Sequence, residues 1–195
     1  MNTRTLCAAA ALGSLSLILG GSSPVRAAEP YKVDPVHSMV VFRVKHFGVG
    51  YIHGRFNEAA GDFTWDDANP AGISFDVRVK AESIDTNNPK REQHLKGPDF
   101  FNAREYPDIA FKSTQVRQLD ANNYEVTGNL TLHGVTRPLA VKLEHVGAGK
   151  DPFGMVRNGF ETTFVIHRSE FGMKAMPEGV GDDIRVTVAI EGIRQ

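Results

Sequence analysis

Cysteine is almost missing: Cys7 stands alone in 195 residues, inside an apolar N-terminal run. Disulfides and thiol catalysis are therefore both excluded for the rest of the chain. Strong charge is missing too. The formal net charge is −1, and no run of lysine or arginine of the kind a phosphate backbone attracts occurs anywhere. Nucleic acid is thus not an expected partner. After residue 30 no apolar stretch is long enough to cross a bilayer as a helix, so stable membrane insertion is not expected. Catalytic signatures are absent as well. There is no Gly-x-Ser-x-Gly elbow and no His-Glu-x-x-His, and Gly147-Ala148-Gly149-Lys150 lacks the full phosphate-loop pattern. The carboxylates of Asp66-Asp67 and of Asp182-Asp183 point apart in extended chain, which makes poor acid–base pairs. The seven histidines show no close ligand spacing, so neither a metal nor any other cofactor is expected.

What is present begins with an address. Arg4, the apolar run from Leu6 to Leu19 and the small residues around Ala27 read as a secretory signal peptide over residues 1–27. Cutting after Ala27 leaves about 170 residues, enough for one domain, 28–195, with an ample core. The expected location is the periplasm.

From residue 30 onward apolar and polar residues alternate. Phe75, Val77, Val79 and Ala81 interleave with Asp76, Arg78, Lys80 and Glu82, and residues 184–191 repeat the pattern. Period two marks a strand with one dry face. Strand candidates cover residues 31–33, 38–47, 52–65, 72–84, 108–119, 123–132, 137–146, 157–167 and 184–193, and the long one from Ile52 is expected to bend or bulge, given Gly54 and Gly61 within it. Without helices between them such strands cannot form a parallel sheet. An all-β, antiparallel sandwich or barrel is expected. The one interruption, residues 83–113, holds a short helix that Asn88 caps and Pro89 starts, ended by Gly97 and Pro98. Its aromatics suit a cover over one barrel end.

The dry phase of the strands carries Val40, Phe42 and Val44, then Phe75, Val77 and Val79. It continues with Phe111, Leu130, Leu132, Val141, Phe164 and Ile166. These residues alone fit a solid core as well as the lining of a hollow. Polar residues in the same phase, among them His46, Asp85, Ser113, Thr162 and Arg168, would point inward or to the barrel mouths. Arg168 is the sharpest, because a guanidinium can pair with a phosphate or carboxylate. An ion pair with Glu170 or Asp85 would occupy it instead. Arg91 and His94 reach a head group only if the short helix covers one.

Several stretches taken together resemble the YceI family of exported lipocalin-like proteins. They are His37-Ser38, Val41 to His46, Gly54-Arg55-Phe56 and Ser83 to Thr86, followed by Arg91, His94-Leu95, Phe100-Phe101, Tyr106-Pro107 and Phe111. Leu132 to Thr136, Arg168 to Met173 and Val180-Gly181-Asp182 complete the set. Glu92 stands where the family often has Asp. The resemblance implies an antiparallel eight-stranded lipocalin-like barrel, with the short helical segment in one long loop and a long apolar interior. It implies a periplasmic binder or carrier of an isoprenoid or similar amphiphilic lipid, such as a polyprenyl pyrophosphate or a quinone, rather than an enzyme. The apolar residues named above would line the site. His46, Asp85, Arg91, His94 and Arg168 would meet the polar head. Two other readings stay open: an enzyme acting on such a lipid, and a metal- or haem-linked stress protein. A homodimer through an exposed strand edge or apolar rim is compatible with either binding or catalysis.

Overall fold

The computed structural model describes residues 27–195; the expected signal peptide lies outside the described residues, apart from its last residue. Eleven strand segments, β1 (Glu29–Val33), β2 (Met39–His46), β3 (Gly50–Phe56), β4 (Ala59–Trp65), β5 (Ser74–Lys80), β6 (Ile84–Asp85), β7 (Asp108–Gln118), β8 (Asn123–Leu132), β9 (Val135–Lys150), β10 (Val156–His167) and β11 (Val180–Arg194), share a single sheet, and α1 (Pro89–Lys96) lies between β6 and β7.

Eight long strands account for the eleven segments, because three strands are each broken once. β1 and β2 are halves of the first, β3 and β4 of the second, β5 and β6 of the third. Every neighbour in the ring pairs antiparallel, and β11 closes it by pairing with β1 at its C-terminal end and with β2 further back. The result is a closed, up-and-down barrel in which an edge is left unpaired locally, along residues 50–54 of β3, because β6 reaches β3 at Arg55 and Phe56 alone.

The breaks sit next to one another across the sheet. Asn57 donates its backbone N–H to Ser83 O at 3.1 Å, and Lys80 donates to Glu58 O at 3.0 Å. The second and third strands therefore bend together. The alternation does not mark these bends, since each side of the break keeps its own phase; residues 52–65 and 72–84 read as single strands but are two each. β11 also starts four residues earlier than its alternation indicates, with a bulge between Val180 and Ile184. Side chains that share a strand face thus lose step across the bulge.

One end of the barrel is plugged. Trp65, Tyr31, Phe63, Tyr124 and Phe160 are almost completely buried there, with Tyr31 stacked on Phe63 at 4.9 Å and Trp65 against Phe160 at 4.8 Å. The two chain ends of the described region and the turns after β4, β7 and β9 all gather at this end. At the opposite end are the β2–β3 turn, the long connection carrying α1, the His133-Gly134 turn and the connection from β10 to β11.

Candidate functional site

Between the aromatic plug and the far end the barrel is hollow. The cavity measures about 210 Å³. Val40, Phe42 and Val44 of β2 line it, with Phe75, Val77 and Val79 of β5, Phe111 of β7, Leu130 and Leu132 of β8, Val141 of β9, and Phe164 and Ile166 of β10. Every apolar position singled out in the sequence therefore faces this space. Ile184, Val186, Val188 and Ile190 of β11 complete the wall, and Phe160 closes the floor. An apolar cavity of roughly 150 Å³ can stay dry and accept apolar guests, so this one suits an apolar chain better than water.

Four contributors could not be found from strand periodicity. Leu95 reaches the cavity from α1, Phe100 and Phe101 from the turn after it, and Met173 from the β10–β11 connection. The only sequence signal for Phe100 and Phe101 was a pair of aromatics in a loop rich in charge. Their position follows from local hydrogen bonds: Phe101 N–H donates to Leu95 O and Ala103 N–H to Lys96 O, both at 2.9 Å, folding the turn back against the helix. Phe101 then meets Phe56 edge-on at 5.5 Å. Asn88 caps α1 as expected, its Oδ1 accepting from Arg91 N–H at 3.0 Å. Glu92 Oε1 accepts from the N–H groups of Thr86 and Asn88, which holds that carboxyl below its ordinary range.

Four of the five polar candidates stand away from the cavity lining. His46 is exposed at the end of β2, its ring edge-on to Phe47 at 4.5 Å. Asp85 lies outside, accepting from Asn87 N–H and Asn57 Nδ2 and paired with Arg55 at 3.6 Å. Arg91 turns back to Thr86, donating to its Oγ1 and its carbonyl at 3.0 and 2.6 Å. His94 is exposed and pairs with Asp99 at 3.1 Å. In-step phase failed for His46 and Asp85 because each sits where its strand ends and regular geometry stops. Arg91 and His94 are on helix faces that the sequence could not orient; Leu95, between them and the cavity, is the residue that points in. Ser113 spends its hydroxyl on Phe75 N–H at 2.8 Å and is not in the lining.

Arg168 does border the cavity, and it is 5 % exposed. Neither Glu170 nor Asp85 pairs with it. Instead Nε donates to Gly181 O at 3.0 Å, Nη1 to Met173 O at 2.8 Å and Nη2 to Val180 O at 2.8 Å. Three of its five N–H donors are thereby spent on carbonyls, and two remain. Asp182 is near enough to favour the cation, but its oxygens accept from Ser169 N–H and Oγ at 2.8 Å. Burial lowers the basicity of Arg168, yet a guanidinium stays charged at any physiological pH. The second polar lining residue, Thr162, donates to Lys142 O at 2.8 Å and offers the cavity little. The chamber is therefore greasy along its length with one buried positive charge at its border. Such a site can hold an apolar tail by burial.

The His133-Gly134 turn braces this border. His133 Nδ1 donates to Phe171 O at 2.9 Å, tying the β8–β9 hairpin to the short turn Arg168–Phe171.

Among the described residues, Asp34, His37 and Glu191 form a group able to hold a metal ion, and it lies outside the cavity lining. A guanidinium already sits between its carboxylates: Arg157 Nη1 donates to Asp34 at 2.7 Å and to Glu191 at 2.5 Å. The fit to an added cation is poor, and the metal reading gains nothing from this cluster.

Closed antiparallel walls, an apolar chamber and a covered mouth define a lipocalin-like barrel. Residues 31–192 match the family of YceI-like domains, and the chain belongs to that family. A UPF0312 protein of Pseudomonas aeruginosa is 37 % identical over 190 residues, covering 96 % of this chain and 97 % of the relative. Another from Photorhabdus laumondii is 37 % identical over 180 residues, 92 % of this chain and 93 % of that one. The crystal structure of Campylobacter jejuni YceI superposes with a TM-score of 0.68 at 29 % identity, covering 77 % and 90 % of the two chains. Burkholderia cenocepacia BcnA, at 23 % identity, shares the fold with a TM-score of 0.75 over 82 % of this chain and 98 % of its own. A polyisoprenoid binding domain from Saccharophagus degradans does so at 14 % identity, with a TM-score of 0.66 over 85 % and 98 %.

Proposed function

We propose that this protein is an exported carrier that holds a long-chain isoprenoid lipid, tail in the barrel and an anionic head group at Arg168. The observation that carries the reading is the pairing of a wholly apolar hollow with a single buried guanidinium that has two N–H donors left. Membership of the YceI-like family supports it, and so does the shared fold of a domain described as polyisoprenoid binding. Each CH₂ moved from water into such a lining contributes about 0.8 kcal/mol, so even part of a prenyl tail gives a useful driving force. The head group is expected to be a phosphate or carboxylate, both of which suit a guanidinium. Export to the periplasm is part of this proposal; the leader-like N-terminal sequence supports it, and fractionation of cells after osmotic shock checks it.

Mass spectrometry of organic extracts from purified protein is the direct test. A prenyl lipid is expected, and stripped protein should take one up on titration. Repeated extracts empty of any amphiphile, with no uptake of prenyl phosphates, would overturn the proposal. The same experiment separates carrier from enzyme: a carrier returns its lipid chemically unchanged after long incubation, whereas an enzyme alters it. A dimer would use either the apolar rim or the locally unpaired edge along residues 50–54 of β3.

A further inference from the structure

The β2–β3 turn breaks a local rule. Phe47 and Gly48 both have positive φ, 46° and 73°, and Val49 N–H closes the turn on His46 O at 3.0 Å. That geometry calls for Asn-Gly, and an aromatic in the left-handed region is an outlier. The His133-Gly134 turn has the same pattern of φ, but there the histidine ring is used in a hydrogen bond to Phe171 O. Phe47 makes no such hydrogen bond: it packs only partly, over Gly179, beside Met176 and against the His46 ring, and is 60 % exposed. Val49 is 88 % exposed and Met176, also at positive φ, 49 %. All three apolar tips stand at the end of the barrel where the cavity has Arg168, Met173 and Val180.

The outer wall beside these tips carries several unpaired cations, its Asp183 being paired to His167, while Glu178 stands exposed near the tip. Register places Arg185 of β11 opposite Arg43 of β2, and Arg43 opposite His53 of β3, around a shallow depression. Lys45 stands two residues on, toward the tip. Like charges directly opposite on neighbouring strands cost stability. Among the described residues none of Arg43, Lys45, His53 or Arg185 pairs with a carboxylate, although Arg55 and His167 on the same wall do. Arg43 lies over the Tyr51 ring at 4.4 Å, which presents it rather than neutralises it.

We infer that this corner is a docking surface for an anionic lipid bilayer: Phe47, Val49 and Met176 enter the interface, and Arg43, Lys45 and Arg185 meet the head groups. An apolar tip flanked by cations is the arrangement that an interfacial anchor needs. It also sets the cavity mouth against the membrane, where a lipid can pass without crossing water.

Co-sedimentation with vesicles tests this on protein stripped of any lipid, so the result does not depend on what the cavity carries. Wild type is expected to bind vesicles of phosphatidylglycerol and phosphatidylcholine in equal parts, to bind phosphatidylcholine alone far less, and to come off with added salt. Arg43→Gln and Arg185→Gln should each weaken partitioning about fivefold. The double variant Phe47→Asn, Val49→Ser should weaken it about tenfold or more, and asparagine relieves the turn rather than straining it. Circular dichroism and lipid uptake in detergent should stay as in wild type. Absence of binding to the anionic vesicles, equal binding to neutral ones, or partitioning unchanged in the variants would overturn the inference. So would a dimer in sedimentation velocity that Phe47→Asn disperses, since a second copy would then be what covers the tips.

Discussion

Arg168 and Gly192 show how much single residues carry here. Arg168 is held by three carbonyls, of Met173, Val180 and Gly181, rather than by a carboxylate. Arg168→Met should therefore do two separable things. It orphans three acceptors, and unfolding in urea should show a loss of about 2–3 kcal/mol. It also removes the cation, so uptake of a prenyl phosphate should fall more than uptake of the corresponding prenyl alcohol. Equal losses for both ligands would mean that the guanidinium only builds the loop. Gly192 is a purely steric case. A Cβ there would lie 2.2 Å from Phe63 Cε1 and 2.5 Å from Cζ, inside the stacked plug. Phe63 is fully buried between Tyr31, Phe75 and Phe160 and has nowhere to go. Gly192→Ala should cost about 1–3 kcal/mol, read from the shift in urea midpoint, without touching the cavity lining. Neither role is visible in the sequence. A glycine in a strand signals only some close approach, and carbonyl partners five to thirteen residues on leave no pattern.

At the scale of elements, the breaks and turns are held by polar clasps. The bend between β1 and β2 contains Asp34, whose Oδ2 accepts from Arg157 Nη1 and from His37 Nδ1, both at 2.7 Å. Arg157 also donates through Nε to Asp151 Oδ2 at 2.7 Å, and Asp151 Oδ1 folds the β9–β10 turn by accepting from Phe153 and Met155 N–H. One guanidinium thus clips a strand bend, a hairpin turn and β11 together. Its partners hold Asp34 at a pKa of about 2, below its ordinary 3.8, and Asp151 below its ordinary value too. A carboxyl with a depressed folded pKa stabilises the fold above its unfolded value, and that contribution disappears as pH falls through the folded one. The urea midpoint should accordingly hold steady down to about pH 4 and drop steeply toward pH 2. Asp34→Asn should flatten that drop and lower stability at neutral pH by roughly 1.5–3 kcal/mol. Strand identity and face were legible from alternation, since a strand buried on one side must repeat every two residues. The short helix was legible from Asn88 and Pro89. Of the bends, only the one within residues 52–65 was signalled, by Gly54 and Gly61, and its place at Asn57-Glu58 was not, because the residues that make the bends, such as Asp34 and Ser83, act through partners more than twenty positions distant.

For the whole molecule, the decisive feature is that the barrel does not fill itself. A closed barrel of eight strands has just room for its own side chains to meet, and natural cores pack to near-crystalline density. Here one end does so with stacked aromatics, while the other keeps a hollow of about 210 Å³. At about 24 cal/mol per Å³ that emptiness forgoes on the order of 5 kcal/mol of stability. Alternation could never distinguish the two ends, because plug and lining have the same period and phenylalanine occurs in both. A hollow kept for a guest makes a specific demand on mutants. Val186 lies half-buried on β11 in the middle of the lining. Val186→Phe should fill part of the space, leaving the thermal midpoint of stripped protein unchanged or raised while prenyl-lipid uptake falls. The lipid-loaded wild type should melt higher than the stripped one in proportion to ligand concentration, and the filled variant should lose that increment. If Val186→Phe instead destabilises the stripped protein by the 1–3 kcal/mol typical of an overpacked core, the interior is tighter than a binding chamber requires. Stability and binding should move in opposite directions in a carrier and together in a barrel that is merely loosely packed.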